Sequence, residues 1–431
     1  MLGNKRRQAP VLASASVMVA TFSVWRNGAR TSLSGQLWPL LRFLQPRADR
    51  IALVDNPIGE SDHRRPRAEF WENNTRVATQ DLPLLMAPLW SVSDATRSEA
   101  ISPLRLKLRD FVSDIYFTLR SRQSYDLYIG VDAVNTLAGL VLRSLGRVER
   151  VIFYETDYSP RRYANATLNR LYLTLDGFVA RHSDYVWNVT PAIAAARAQV
   201  GYPPEKLAPQ FVVPVGTFPE QIHEVPYSDL EAGHVVYSGG FSEQNGIWTL
   251  LEAAAELCHK LPEARFTILG WGGETLESNM RKFITSNGLS QRVVMPGFLD
   301  DHREVEEIIS HAWLGIAPFK DVPYSIKRLG DVSKLRMYLS CGIPVVTTDV
   351  TYLADEIRRR GAGIVTQDDT RQLVDATIKL LSDRQLHQDC RAAAVAMARH
   401  NTWDSIFERA FADVGFITGE QASTETLVNV G

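Results

Sequence analysis

The stretch Asp331-Val-Ser-Lys-Leu-Arg-Met-Tyr-Leu-Ser-Cys-Gly-Ile-Pro-Val-Val-Thr-Thr-Asp349 decides the fold. Leu335, Tyr338 and Leu339 recur at helical spacing, so its first half reads as a helix with one apolar face. Asp331 stands where an N-cap or first-turn acid belongs. Gly342 then ends the helix as a left-handed cap, and Pro344 forbids its continuation. The apolar run Ile343–Val346 is a short buried strand, closed by Thr347-Thr348-Asp349. A helix that turns on Cys-Gly into a buried parallel strand is half of a βαβ unit of the nucleotide-binding kind.

The same alternation spreads outward. In the second half His234–Ser238, Phe266–Leu269, Val293–Met295, Leu314–Ala317, Val345–Thr348 and Gly363–Val365 read as strands separated by helices. In the first half the strands are Val17–Val24, Ile51–Asp55, Leu127–Val131, Val151–Tyr154, Tyr185–Val189 and Phe211–Val215. Such βαβα order implies a mostly parallel sheet covered on both faces. Two arrays follow: a domain over 1–220 and a second over 221–400, joined near 217–230. Asn56 to about Ser102 reads as a loop-rich insertion with a weaker strand near Leu82–Leu89. The polar tail 417–431 reads as disordered.

Composition removes several classes of function. A net charge of −2 gives no general attraction to nucleic acid. The three cysteines, Cys258, Cys341 and Cys390, are far apart, which fits neither a disulfide framework nor a zinc knuckle. They suit a reducing compartment, and the expected location is the cytoplasm, with peripheral membrane attachment left open. Lys5-Arg6-Arg7 before Val11–Val24 superficially looks like a signal peptide. Ser14, Ser16 and Thr21 interrupt that run, and it is read as the first core strand. No segment is apolar for the roughly 20 residues that a membrane span needs.

The 331–349 segment closely resembles the donor-binding segment of family 4 glycosyltransferases, which have the GT-B fold of two Rossmann-like domains facing a central cleft. The resemblance covers most of 234–414 and is looser over 17–216. It implies a donor diphosphate near Tyr237-Ser-Gly-Gly-Phe-Ser-Glu-Gln-Asn-Gly246. Physically, Gly239 and Gly240 let a backbone approach closely, and free amides at a helix start attract anions; a plain tight turn is the competing reading. Where the family often carries Arg and Lys, this chain has Gly240 and Asn245. The ribose-binding Glu falls on Met337 and the acid eight residues earlier on Leu329, so the paired glutamates are missing. A family branch with an Asp–Lys–Tyr helix is similar to Asp331, Lys334 and Tyr338 here. Lys334 and Arg328 are then candidate phosphate contacts, and Asp331 either binds a sugar hydroxyl or caps the helix. Gly270, in a Gly-Trp-Gly-Gly turn, and Phe298 would line the nucleotide, although Phe298 suits the core equally.

On the acceptor side the resemblance points to the loops that follow the strands of the first domain. Trp25, Asn27 and Gly28 follow the first strand and are expected on the cleft floor. Asp132 and Asp157, each just after a strand, are the candidate catalytic or acceptor-contacting acids. For Asp157 the competing reading is a buried acid paired with Arg161 or Arg162. The expected activity is sugar transfer from a nucleotide-diphospho-sugar to an unknown acceptor, with retention, no metal and no further cofactor. A non-catalytic nucleotide- or partner-binding relative and a sugar-nucleotide epimerase are the alternatives. A Rossmann oxidoreductase is disfavoured, because no strand runs into G-x-G-x-x-G.

Overall fold

The computed structural model describes residues 11–31, 36–58, 61–89, 101–322 and 325–417. The chain forms two compact units: residues up to Val213 together with those from Ile406, and Pro214–Ser405. The division thus falls a few residues before the connector expected at 217–230.

The first unit is built on β1 (Ser16–Ser23), β2 (Trp25–Arg26), β3 (Ala29–Arg30), β4 (Arg50–Pro57), β5 (Arg67–Glu72), β6 (Thr75–Asp81), β7 (Tyr125–Val131), β8 (Val148–Glu155), β9 (Tyr185–Asn188) and β10 (Gln210–Val212). Its main sheet runs β10-β9-β8-β7-β1-β4-β5-β6. The run from β10 to β4 is parallel. The apolar stretch after Lys5-Arg6-Arg7 is therefore a central strand of this sheet, as its interrupting hydroxyls suggested.

The 56–102 reading needs correction. Instead of a loop-rich insertion, β5 and β6 extend the sheet as antiparallel strands. Two residues join them, Asn73 and Asn74, both with positive φ (48° and 61°). That geometry matches the right-handed twist of the flanking strands, and asparagine tolerates it better than branched residues do. The expected strand at Leu82–Leu89 is a 3-10 helix over Leu84–Leu89, and 90–100 lie outside the described residues.

The second unit has β11 (Glu231–Ser238), β12 (Arg265–Leu269), β13 (Val293–Gly297), β14 (Ala312–Ala317), β15 (Val345–Thr348) and β16 (Gly363–Thr366). All pairings are parallel, in the order β13-β12-β11-β14-β15-β16. This is the 3-2-1-4-5-6 order of a Rossmann sheet, with its reversal between β11 and β14. The helix Ser333–Ser340 ends as its sequence requires: Gly342 has φ +69°, its N–H donates to Leu339 O, and Ile343 N–H donates to Tyr338 O. Two otherwise orphaned carbonyls are thereby satisfied.

The last helix, Trp403–Asp413, belongs with the first unit from Ile406 onward. Phe407 and Phe411 pack on Phe43 with ring centroids 5.5 Å apart, and Phe411 meets Trp187 edge-on at 5.2 Å. Residues 418–431 of the expected disordered tail lie outside the described residues. Among the described residues, no helix is long and apolar enough to cross a membrane.

The hairpin account is testable. Valine at both Asn73 and Asn74 should destabilise the protein by roughly 1–2 kcal/mol per residue, since each must hold a left-handed backbone. Urea unfolding with an unmoved midpoint would contradict the turn assignment.

Candidate functional site

In open α/β sheets, ligands bind beyond the carboxyl ends of strands where the strand order reverses. In the second unit that place lies beyond β11 and β14. There Gly239 has φ +139°, a backbone that side chains rarely adopt. A Cβ at Gly239 would lie 2.8 Å from Lys334 Cε and 2.9 Å from its Nζ, so the lysine rests on the bare loop backbone. One at Gly270 would lie 2.0 Å from Gly239 O, so the β12 turn presses on the same loop. The loop is braced by Tyr237 Oη and Asn245 Nδ2, which both donate to Gly240 O, at 2.9 and 2.7 Å. Asn245 is thus a brace, and its Oδ1 is buried without a hydrogen-bond partner.

Lys334 is the unusual group. It is 9% exposed, donates to Tyr237 Oη at 2.8 Å, and sits 4.1 Å from the centre of the Tyr237 ring and 5.2 Å from that of Phe319. Among the described residues no carboxylate pairs with it. Burial, and then the charge of Lys327, push its pKa well below the ordinary lysine value. Lys107 of the first unit shows the contrast. Burial works against its ammonium too, but Asp132 and Asp110 outweigh that and raise its pKa. A hydrogen bond to a hydroxyl contributes roughly 0.5–1.5 kcal/mol. Desolvating an ammonium costs several kcal/mol. The Lys334 site is therefore unfavourable for a cation until an anion arrives.

The other expected donor residues fall elsewhere. Tyr338 is fully buried; its Oη accepts from Ser238 N at 2.7 Å, and its ring fills the space over Gly315. It supports the sheet from beneath. Asp331 neither caps the helix, whose N-cap is Val332, nor is open to a sugar. Its carboxylate is 1% exposed, accepts from Val215 N at 2.8 Å and pairs with Arg336 at 3.0 Å. Arg336 is buried with it because the pair neutralises both. Arg328 bonds Asp321 through Nε at 2.9 Å, and both side chains are half exposed. Phe298 (59% exposed) and Trp271 (60%) stand beyond adjacent strands, so the core reading of Phe298 fails.

The first unit reverses its strand order between β1 and β7, and a cavity lies at that end of the sheet. Asp132 and Asp157 both line it. Asp132 caps the helix Ala133–Ser144, accepting from Val134 N (2.8 Å) and Asn135 N (3.0 Å) on one oxygen and from Lys107 on the other. Asp157 is 57% exposed and pairs with Arg162 at 3.2 Å, so it is paired as the competing reading held but is not buried. Sequence reasoning missed Glu155, which is buried and lines the same cavity. Its position as the last residue of an apolar strand was the available signal.

Trp25, Asn27 and Gly28 belong to a small hairpin that follows β1. Asn27-Gly28 is the two-residue turn of the β2–β3 hairpin, with φ of 53° and 74°, and is exposed. Trp25 is 4% exposed; its Nε1 donates to Asp55 at 2.9 Å, and Arg30 lies 4.7 Å above its ring. Asp55 also accepts from Ser23 and Arg30, so this is a closed structural network.

With this geometry in view, comparison with known proteins is informative. Residues 232–383 match the family "Glycosyl transferases group 1". Alpha-D-kanosaminyltransferase of Streptomyces kanamyceticus is 29% identical over 155 residues, which are 36% of this chain and 38% of that enzyme. The chain thus spans well under half the length of this relative. Anabaena HepE in complex with UDP superposes with a TM-score of 0.63, at 16% identity, over 93% of this chain and 99% of that one. Sucrose-phosphate synthase from Thermosynechococcus elongatus gives 0.65, also at 16%, 93% and 99%. Identities this low carry the fold, which is GT-B with two Rossmann-like domains.

The structural role of Asp331 gives a prediction. Asp331→Ala should destabilise the protein by about 3–5 kcal/mol, because Arg336 stays buried without its main partner. Donor affinity of the folded fraction should stay nearly constant. An unchanged melting temperature with lost nucleotide binding would return Asp331 to the ligand.

Proposed function

We propose that the chain is a glycosyltransferase that moves a sugar from a nucleotide-diphospho-sugar to an acceptor, with retention and without a divalent metal. One observation carries the reading: Lys334 is a buried lysine that, among the described residues, no carboxylate pairs with, and it is held against the glycine loop where the Rossmann strand order reverses. The group 1 family match over this unit supports it, as does the UDP complex of HepE.

The chemistry follows from the charge. As the glycosidic bond breaks, negative charge grows on the diphosphate. Lys334 and the glycine-loop amides stabilise that charge in a water-poor site, where such stabilisation is worth most. Retention then needs attack from the face the diphosphate leaves, with the leaving phosphate able to accept the acceptor's proton. An ammonium in this position takes the charge-neutralising part that a cation pair from the loop would otherwise supply. The positions of that pair, Gly240 and Asn245, carry no charge.

Lys334→Met keeps the apolar stem and removes the charge. Calorimetry with UDP in EDTA should show binding to the wild type, weakened by roughly 1.5–3 kcal/mol in the variant, with uridine affinity unchanged. The ligand-free variant should melt at a higher temperature than the wild type, because an uncompensated buried charge is gone. A wild type that binds UDP only with added Mg²⁺, or a variant that binds UDP equally well, would refute the reading.

A further inference from the structure

Glu155 ends β8 and lines the first unit's cavity, yet it is only 3% exposed. Its Oε1 accepts one hydrogen bond, from Asp157 N at 2.9 Å. Among the described residues no cation forms an ion pair with it. The charges around it are already engaged. From the helix Ile101–Ser121, Lys107 bonds Asp132. Within its own loop, Arg162 bonds Asp157. From the helices Ala166–His182 and Pro191–Gln199, Asp176 and Arg197 bond each other at 2.7 Å, both fully buried. The phenols of Tyr158 and Tyr172 also lie close enough to feel its charge.

These pairs are neutral within themselves, so Glu155 is the carboxyl left over. Burial, and then the neighbouring Asp176, push it up to about 8 against the opposing charge of Arg197. Much of the remaining cavity wall is apolar, with Phe22, Leu104, Leu168, Leu171 and Leu175.

Resting on the reading of the chain as a glycosyltransferase, we propose that this cavity seats an acceptor bearing a protonated amine beside its hydroxyls. The ammonium sits on Glu155 and the carbon skeleton lies against the leucines. A cation there restores to the carboxylate the partner that folding denies it, in the way a diphosphate does for Lys334. Linkage gives the pH dependence. Below about 8 the carboxyl must lose its proton before it pairs with a cation. Affinity for an amine therefore climbs as pH rises towards that value and levels off above it, while the amine itself stays charged. A neutral polyol has no such dependence in this direction, because a protonated carboxyl can donate to its hydroxyls.

Two probes of one shape separate the cases: trans-4-aminocyclohexanol and trans-cyclohexane-1,4-diol. Each is titrated into the full-length protein by saturation-transfer NMR across roughly pH 6 to 8.5. The amine should bind about tenfold more tightly at the upper end. Its advantage should shrink as pH falls below 8 and vanish in Glu155→Gln. A diol that binds as well as the amine at the upper end overturns the proposal, as does an amine advantage that ignores pH or survives in Glu155→Gln. If Glu155→Gln fails to fold, the wild-type pH profile decides alone. UDP binding in the same samples reads the donor site separately. Loss of the amine preference with UDP binding intact defeats this inference only, and absence of UDP binding defeats the functional reading.

Discussion

The structure turns on a buried lysine that, among the described residues, no carboxylate pairs with. Folding places Lys334 under the glycine loop, where one phenol hydroxyl and two aromatic rings replace water. Those contacts fall short of the cost of desolvation. A residue held at such expense stores affinity for an anion, and an anion that entered would relieve it. The loop around it is bare at Gly239 because any side chain there would displace the lysine. Gly270, Asn245 and Tyr237 hold the loop in place from three sides. Tyr338 supports the end of β11 from below.

The location follows from topology. In each unit the strand order reverses once among the parallel strands, and each reversal leaves a gap at the carboxyl ends that no crossover fills. The second unit fills its gap with glycine backbone and a cation. The first lines its own with leucines, three acids and two bases, four of whose charges cancel in pairs. The two units share one architecture and differ in the sign of the charge left over. Under the proposed function, that difference in sign would suit one to a donor diphosphate and the other to an acceptor.

Much of this was legible in the sequence. Periodicity and the Cys341-Gly342 stop located the helix and the strand after it, because both depend on neighbours within a turn. Lys334 was legible as a residue of that helix, but its isolation was not, since isolation is a statement about every other acid in the fold. Asp331 failed for the same reason: a local reading makes it a cap, while its true partners, Val215 and Arg336, include a backbone amide more than a hundred residues away. Asn27-Gly28 and Asn73-Asn74 carried turn signals that the reading passed over in favour of a binding loop and an insertion. Glu155 was hidden by its company, because a polar residue closing an apolar strand looks like the start of a loop.

The most direct test is whether the protein takes up a proton when it binds a diphosphate. UDP binding is measured by calorimetry in buffers of different ionisation enthalpy at about pH 9, where the phosphates are fully ionised. Burial and the charge of Lys327 lower the pKa of Lys334, so it gives up its proton more readily than an ordinary lysine. An arriving anion raises that pKa, so binding must draw a proton from the buffer. The account predicts a heat that varies with the buffer in the sense of proton uptake in the wild type and a buffer-independent heat in Lys334→Met. UDP binding with no proton uptake in the wild type, or with the same uptake in both proteins, would contradict it.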